Sequence, residues 1–488
     1  VVTDTDTSVE RTSRPARWRD PRRWSWWVQT LVVYAASRGW LFVVFSHYAA
    51  GQPDTSWGPG APSYFDFVST QFDGDWYRQI AECDPRCGFG GLGYPDDLPT
   101  NVAGQVQQNA WAFFPAFPWL VRQVMLATGG SWAVTAPLVA TVLGAAAMVV
   151  IYRLVVDGAP RAVEAWPGLP LATVAVVCTF PTAAVLQTAY TESLALLLIA
   201  LSIWAVVRRW YPLAAVAVVI LGFTRAVALP MAVVVVVHAV GRWWVARRAR
   251  LATSAKKPDT AKVPDTAEVP DTKVPDDDSE VPDGPVTATS GHLVPVRDWV
   301  QMAGLFVVTV LAGFAWPWLT GWATGVPDGY LLTQRAWRVT STDPLAGWQV
   351  SQFWVGELLT WLGIDHTAWD PVTSGHVLEV TTVLIVFAVL VLLVTLLVLP
   401  GGRRSGRELT AWSVGYFGYI AAVVELGSSL GRFLLLAFPM AVVTVGLVWG
   451  RPWVRRVWLA VLLAVMAWLQ TVWVGGIWAY DLGTNWPP

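Results

Sequence analysis

Two carboxylates flank a glycine in "QFDGDWYRQIAEC", residues 71–83, where the first long apolar run of the chain gives way to polar sequence. Asp73 and Asp75 are followed at once by Trp76, Tyr77 and a stretch patterned as an amphipathic helix. Carboxylates so placed can take a proton in a reaction, or they can cap the helix by accepting from its first N–H groups. The two uses are compatible. Elsewhere, Arg38, Glu192, Arg225, Glu425 and Arg432 stand within or at the rim of apolar runs. A charge at the bilayer centre costs at least about 2.5 kcal/mol on insertion scales, so such residues face a polar cavity or one another. Ion pairs such as Arg38 with Glu192, or Glu425 with Arg432, are the plain expectation. Acids and guanidinium groups converging on one face would instead describe a site.

The elements that must position these groups follow from composition. Of 488 residues, 55% are hydrophobic and 14% charged, and 32 are tryptophans, which suit the headgroup boundary. The net charge of -1 carries little weight, because the charges are segregated along the chain. Apolar runs fall near residues 24–47, 111–128, 131–156, 168–188, 190–207, 212–241, 299–322, 376–399, 410–428, 431–449 and 454–476. Crossing a bilayer takes roughly 20 helical residues, and runs this long mean helices rather than barrel strands. The expected fold is all-α: a polytopic membrane protein of about 10–12 transmembrane helices with a long first extracytoplasmic loop.

Residues 1–23 carry six arginines without the short apolar core and cleavage site of a removable signal, so they read as a basic cytoplasmic tail before a retained anchor. Residues 24–244 form a first membrane half. Its outside loop, 49–110, is rich in Gly, Pro, Asp and aromatics, and loops of that length are functional or disordered. After it, "KKPDTAKVPDTAEVPDTKVPDDDSEVPDG" is a proline-rich near-repeat with too little apolar surface to order itself, which makes 245–297 a disordered cytoplasmic linker. Residues 298–488 form the second half, with an outside loop at 323–375. Lys and Arg near the span ends place the linker, 401–408 and 450–456 in the cytoplasm. One crossing per run would strand Arg208 and Arg209 outside. Those arginines move inside if 111–128 is an interfacial helix kinked at Pro115 and Pro118, and 212–241 is two half-helices bent near Phe223 to Arg225. This topology brings Asp73, Tyr190, Glu192, Arg225 and Arg432 to one outer face, with His238 on the far side as a satisfied helix residue. Cys83 and Cys87, four apart outside, are free to form a disulfide, and the spacing leaves that open. Cys178 reads as a small packing residue, and no His/Cys cluster suggests zinc.

Four separated stretches resemble one family. "FDGDWYRQIAE" (72–82) is similar to its aspartate signature, although "ECDPRCGFG" lengthens the usual turn. "WAFFPAFPWL" (111–120), "TAYTESLALLL" (188–198) with its Tyr-x-Glu-Ser, and "FTRAVAL" (223–229) with its Thr-Arg follow in order. "SSLGRFLLLAFP" (428–439) is a weaker match, with Phe433 where the family tends to tyrosine. Together they resemble the PIG-V-type mannosyltransferases, integral-membrane glycosyltransferases of the GT-C class, across most of the chain outside the tail and 251–297.

The resemblance implies a GT-C-like fold in the cell membrane, with the N-terminus cytoplasmic and the active site extracytoplasmic. It implies transfer of a sugar, usually mannose, from a polyprenyl-phosphate carrier to a lipid-linked or exported acceptor, by inverting displacement. Asp73 holds the family's aspartate position and is the expected general base. Asp75 is the alternative, or it holds acceptor hydroxyls or orients Trp76. Arg225 and Arg432 are expected at the donor phosphate, since a guanidinium fork matches phosphate oxygens. Tyr77 is expected to bind substrate, and Tyr190 and Glu192 to bind sugar hydroxyls or to position an arginine. Gln334 and Arg335 are further substrate-binding candidates, which an ordinary solvated loop explains equally well. The arginines can balance the leaving phosphate, so no metal is required, though two carboxylates leave a divalent cation open. The partners expected are the donor, the acceptor and membrane lipids, with no nucleic acid. Arabinose or glucose on the same fold, and a transporter or flippase, are the alternatives; the two halves show no internal repeat of the kind many transporters carry.

Overall fold

The structure, a computed structural model, describes residues 24–479 except 57, 84–85, 256–293, 338–403, 424–428 and 449. The tail, the run at 376–399, Glu425, and most of the linker and the 323–375 loop lie outside the described residues. Regular structure among the described residues is helical, with two isolated bridges and no strand. Among the described residues four helices are long and apolar enough to cross a membrane: α1 (Trp26–Ala50), α5 (Trp132–Gly158), α11 (Val296–Thr324), and the last described helix, Pro452–Trp473, with its π-turn to Trp478. Between α1 and α5 lie three shorter helices, α2 (Tyr64–Ser69), α3 (Asp73–Glu82) and α4 (Ala116–Thr128). After α5 come α6 (Pro160–Ala165), α7 (Leu169–Thr179), α8 (Glu192–Val207), α9 (Tyr211–Gly222) and α10 (Met231–Ala255). Then α12 (Gly329–Ala336), α13 (Arg407–Val423), α14 (Leu430–Leu435) and α15 (Pro439–Val445) precede the last helix, α16.

Several expected spans are broken, and each break is repaired by side chains from elsewhere. The run 168–188 is not one helix. Pro181 ends α7 by removing a donor, and the chain turns into a 3-10 segment, Ala183–Gln187. The carbonyls freed there would be costly in an apolar surround. Arg38 donates to Cys178 O at 3.1 Å and to Ala183 O at 2.7 Å, while Gln470 donates to Cys178 O and Phe180 O at 3.0 Å each. This corrects the expected pairing of Arg38 with Glu192: the guanidinium serves carbonyls near a helix C-terminus, a favourable place for a cation. The run 431–449 is likewise split between α14 and α15, with Trp412 donating to Leu436 O and Tyr416 to Phe433 O.

The bend foreseen in 212–241 is present. α9 stops at Gly222, α10 starts after Pro230, and Phe223 O accepts from the Ala116 N–H at the start of α4. α10 runs on through "GRWWVARRAR" to Ala255, eleven residues into the expected linker, since arginine and alanine favour helix. At this end of the bundle Arg208 pairs with Asp157, Arg242 with Asp298, and His238 lies between the Tyr211 hydroxyl and Glu408. Arg208 therefore shares an end with α10's exit and the 404–408 turn, and His238 is a satisfied buried residue there.

The opposite end carries the loops and short helices. Buried tryptophans tie them down by their indole N–H groups: Trp132 to Ser69 O, Trp478 to Phe67 O, Trp111 to Pro95 O and Trp316 to Trp111 O. Tryptophan here is a rivet as well as an interfacial ring, since a buried indole has to place its one donor.

Candidate active site

α3 starts where Phe72 adopts φ 52°, ψ -121°, a strained turn for a side-chain-bearing residue. Phe72 is the N-cap residue, so neither carboxylate caps the helix, which corrects that expectation. Asp73 and Asp75 lie in the first turn, where the helix dipole still favours an acid. Between them, Gly74 has no substitute: a Cβ there would sit 2.5 Å from Ser69 O. The glycine lets α3 lie against the end of α2, and that contact aims the two acids.

They point to different neighbours. Asp75 is held within its own helix by Arg78 at 2.8 Å and by Gln79 at 2.8 Å. Asp73 reaches across the bundle to Arg432, with Oδ2 2.9 Å from Nη1. The same Nη1 lies 3.4 Å from Glu192 Oε1, and that oxygen is 2.6 Å from Arg225 Nη1. Two acids and two guanidinium groups, from α3, the start of α8, the α9–α10 bend and α14, thus form one chain of contacts. Side-chain exposure grades along it: Glu192 0%, Arg432 5%, Arg225 12% and Asp73 25%. Asp73 is the open member.

Hydroxyls and rings hold the arginines. Arg225 donates to Thr191 at 3.2 Å and stacks over Phe433, 4.4 Å from its centroid. Arg432 donates to Ser429 at 3.1 Å and lies 4.8 Å over the Tyr190 ring. The Tyr190 hydroxyl accepts from the Asp73 backbone N–H at 3.3 Å, so one buried tyrosine locates both ends of the ion pair. Tyr77 is buried edge-on against Phe113, Phe117 and Tyr190. Burial, and after it the Asp73 carboxylate, pushes its phenol well above the usual range, which keeps it protonated. Tyr77, Tyr190 and Glu192 are therefore placed to position other groups.

Unsatisfied atoms mark the centre. Glu192 Oε2, Arg225 Nε and Arg432 Nε are buried with no hydrogen-bond partner among the described residues. Natural interiors rarely leave such atoms, least of all charged ones. Gln334 donates to Ala112 O at 3.3 Å and Arg335 is half-buried on the same helix; neither bonds to the cluster. Beside α12, Trp76 stacks on Phe113, with Trp337 edge-on to both at 5.3 and 5.4 Å. Thr191 and Ser429 were not singled out in the sequence, and Phe433 was noted only as a departure from the family's tyrosine. Their one signal was adjacency: each lies within three residues of a charged residue in an apolar run.

Among the described residues no group of three His, Cys, Asp or Glu side chains could hold a metal ion. Cys83 and Cys87 form a disulfide at the end of α3, which settles what their spacing left open. Comparison with protein-family models and with curated proteins finds no match to this chain.

Proposed function

We propose that this chain is a membrane glycosyltransferase that moves a mannosyl residue from a polyprenyl phosphate to a lipid-linked or exported acceptor on the extracytoplasmic face. One observation carries the reading: Asp73, the more open of the cluster's two acids, is paired with Arg432, and Glu192 couples Arg432 to Arg225. A base open to an acceptor thus stands beside two guanidinium groups suited to a phosphate.

In the proposed step the acceptor hydroxyl oxygen attacks the anomeric carbon and its proton passes to Asp73. The bond from that carbon to the phosphate oxygen breaks, and its electron pair leaves with the phosphate. Charge balances, because the donor phosphodiester carries one negative charge and the departing phosphomonoester carries two, while Asp73 goes from charged to neutral. Protonating Asp73 also releases Arg432 from its ion pair as the phosphate gains charge. The ion pair thereby passes a guanidinium from base to leaving group, where positive charge is needed in the transition state. Glu192 keeps both arginines in place throughout.

Purified protein supplied with polyprenyl-phosphate-mannose and acceptor tests this. Asp73→Asn should lower transfer by about 10²–10⁴-fold with thermal stability retained. Full activity in that variant removes Asp73 from the role. The broken helices α7 and α9–α10 favour one rival, a carrier, since transporter sites use interrupted helices. Substrate accumulation in sealed vesicles without a sugar donor would support the carrier instead.

A further inference from the structure

At the end of the bundle that carries Arg208, arginines lie over tryptophan rings. Four do so among the described residues: Arg153 over Trp26 at 5.4 Å, Arg208 over Trp210 at 5.3 Å, Arg247 over both Trp243 and Trp244 at 5.4 Å, and Arg455 over Trp166 at 5.1 Å. Contacts tie them to one level. Arg153 stands four residues before Asp157, the partner of Arg208. Gly406 packs on the Gly158 carbonyl, and its neighbour Arg407 lies against Gly241 on α10. Trp166 follows α6, which starts at Pro160 directly after α5. At the opposite end Arg78 is spent on Asp75 and Glu82, and Arg122 on the Ala81 carbonyl.

The stacked arginines are not spent. Arg208 has Asp157 at 3.9 Å, too long for a hydrogen bond, and Arg153, Arg247 and Arg455 meet no carboxylate among the described residues. An indole face takes the flat side of a guanidinium and leaves its N–H edge open, and that edge matches phosphate oxygens. Exposed apolar side chains lead from the rings toward the middle of the bundle: Leu213, Val216 and Ile220 from Trp210 along α9, and Val240, Val236 and Val233 from Trp243 along α10. Steps of three and four residues keep each series on one helix face. A phosphate held at the arginines thus sits at the head of a hydrocarbon stripe, which suits a lipid and is of no use to a soluble anion. Orientation by positive charge accepts lysine and arginine alike, whereas a stacked, forked contact favours arginine. The four lysines, Lys256, Lys257, Lys262 and Lys273, all lie between α10 and α11, and the described helices carry arginine alone. We propose that this collar of tryptophan-braced arginines binds the phosphates of anionic phospholipids in the adjoining leaflet, so that the protein selects its lipid at the end opposite the candidate active site.

The test extracts the full chain from vesicles of equimolar phosphatidylglycerol and phosphatidylcholine and counts the lipids it retains by native mass spectrometry. Phosphatidylglycerol should be enriched at least about fivefold, the factor one arginine supplies near an anionic surface. Arg153→Lys, Arg208→Lys, Arg247→Lys and Arg455→Lys together keep every charge and should cut that enrichment at least about threefold. The same change at Arg209, Arg248, Arg250 and Arg451, which have no ring beneath them among the described residues, should leave it as it was. No enrichment in the parent, or an equal effect of the two lysine sets, overturns the proposal. A second arm needs no variant. Phosphatidylglycerol with a photoreactive group on its glycerol head should label peptides containing Arg247 and Arg455 and spare those containing Arg78 and Arg122. Equal labelling of both ends, or loss of label to soluble glycerol phosphate, overturns it as well. Neither arm supplies a sugar donor, so both results are independent of the transferase reading.

Discussion

Replacing Glu192 by glutamine isolates what the buried acid does. The change keeps volume and one carbonyl acceptor and removes the charge. Glu192 is fully buried, 2.6 Å from Arg225 and 3.4 Å from Arg432. Arg432 would keep Asp73, but Arg225 has no other carboxylate partner among the described residues, only the Thr191 hydroxyl and the Phe433 ring. Removing one partner of a buried pair costs about 3–5 kcal/mol. Arg225 retains 12% exposure, and water takes up part of its deficit, so the lower end applies: about 3 kcal/mol. The refinement is a double-mutant cycle. Glu192→Gln combined with Arg225→Gln leaves no unpaired charge there, so the double variant should recover about 2 kcal/mol relative to the sum of the singles. Denaturant unfolding in mixed micelles, followed by tryptophan fluorescence, measures both numbers. A single variant within about 0.5 kcal/mol of the parent, or strict additivity in the cycle, would refute the claim that Glu192 holds Arg225.

Two further substitutions separate the elements of the site. Gly74→Ala should destabilise by about 1–3 kcal/mol and depress transfer, because its methyl group meets Ser69 O at 2.5 Å; a variant as stable and active as the parent would show that α2 and α3 are not in contact. Asp75→Asn should keep transfer within about tenfold of the parent, because Arg78 and Gln79 already occupy that carboxylate; a loss matching that of Asp73→Asn would move the base to Asp75.

Charged residues in apolar runs made the cluster legible. Glu192, Arg225 and Arg432 stand out against their surroundings, and the Arg208–Arg209 pair was enough to choose the topology that brings them together. The α9–α10 bend was legible too, because two half-helices over 212–241, with 111–128 interfacial, keep Arg208 and Arg209 on the side their charge favours. The partners were not. Asp73 and Arg432 are 359 residues apart, and nothing local in either stretch states which acid meets which guanidinium. The breaks after Thr179 and Leu435 were hidden for a related reason. Their residues are as apolar as those of a continuous span, and the groups that make a break tolerable, Arg38, Gln470, Trp412 and Tyr416, lie on other helices. Gly74 was visible only as a gap between two acids, until Ser69 O supplied its cause.

Arg38 stands midway along α1, yet the oxygens it serves belong to residues 140 and 145 positions later. While the chain is being made, α1 enters the bilayer with a bare guanidinium near its midpoint, at an insertion cost of about 2.5–3.5 kcal/mol. Snorkelling or local thinning of the lipid has to carry that charge until the turn after Thr179 arrives. α1 thus reaches its resting depth only once α7 and the turn behind it have been made, so the order of synthesis and the order of settling differ.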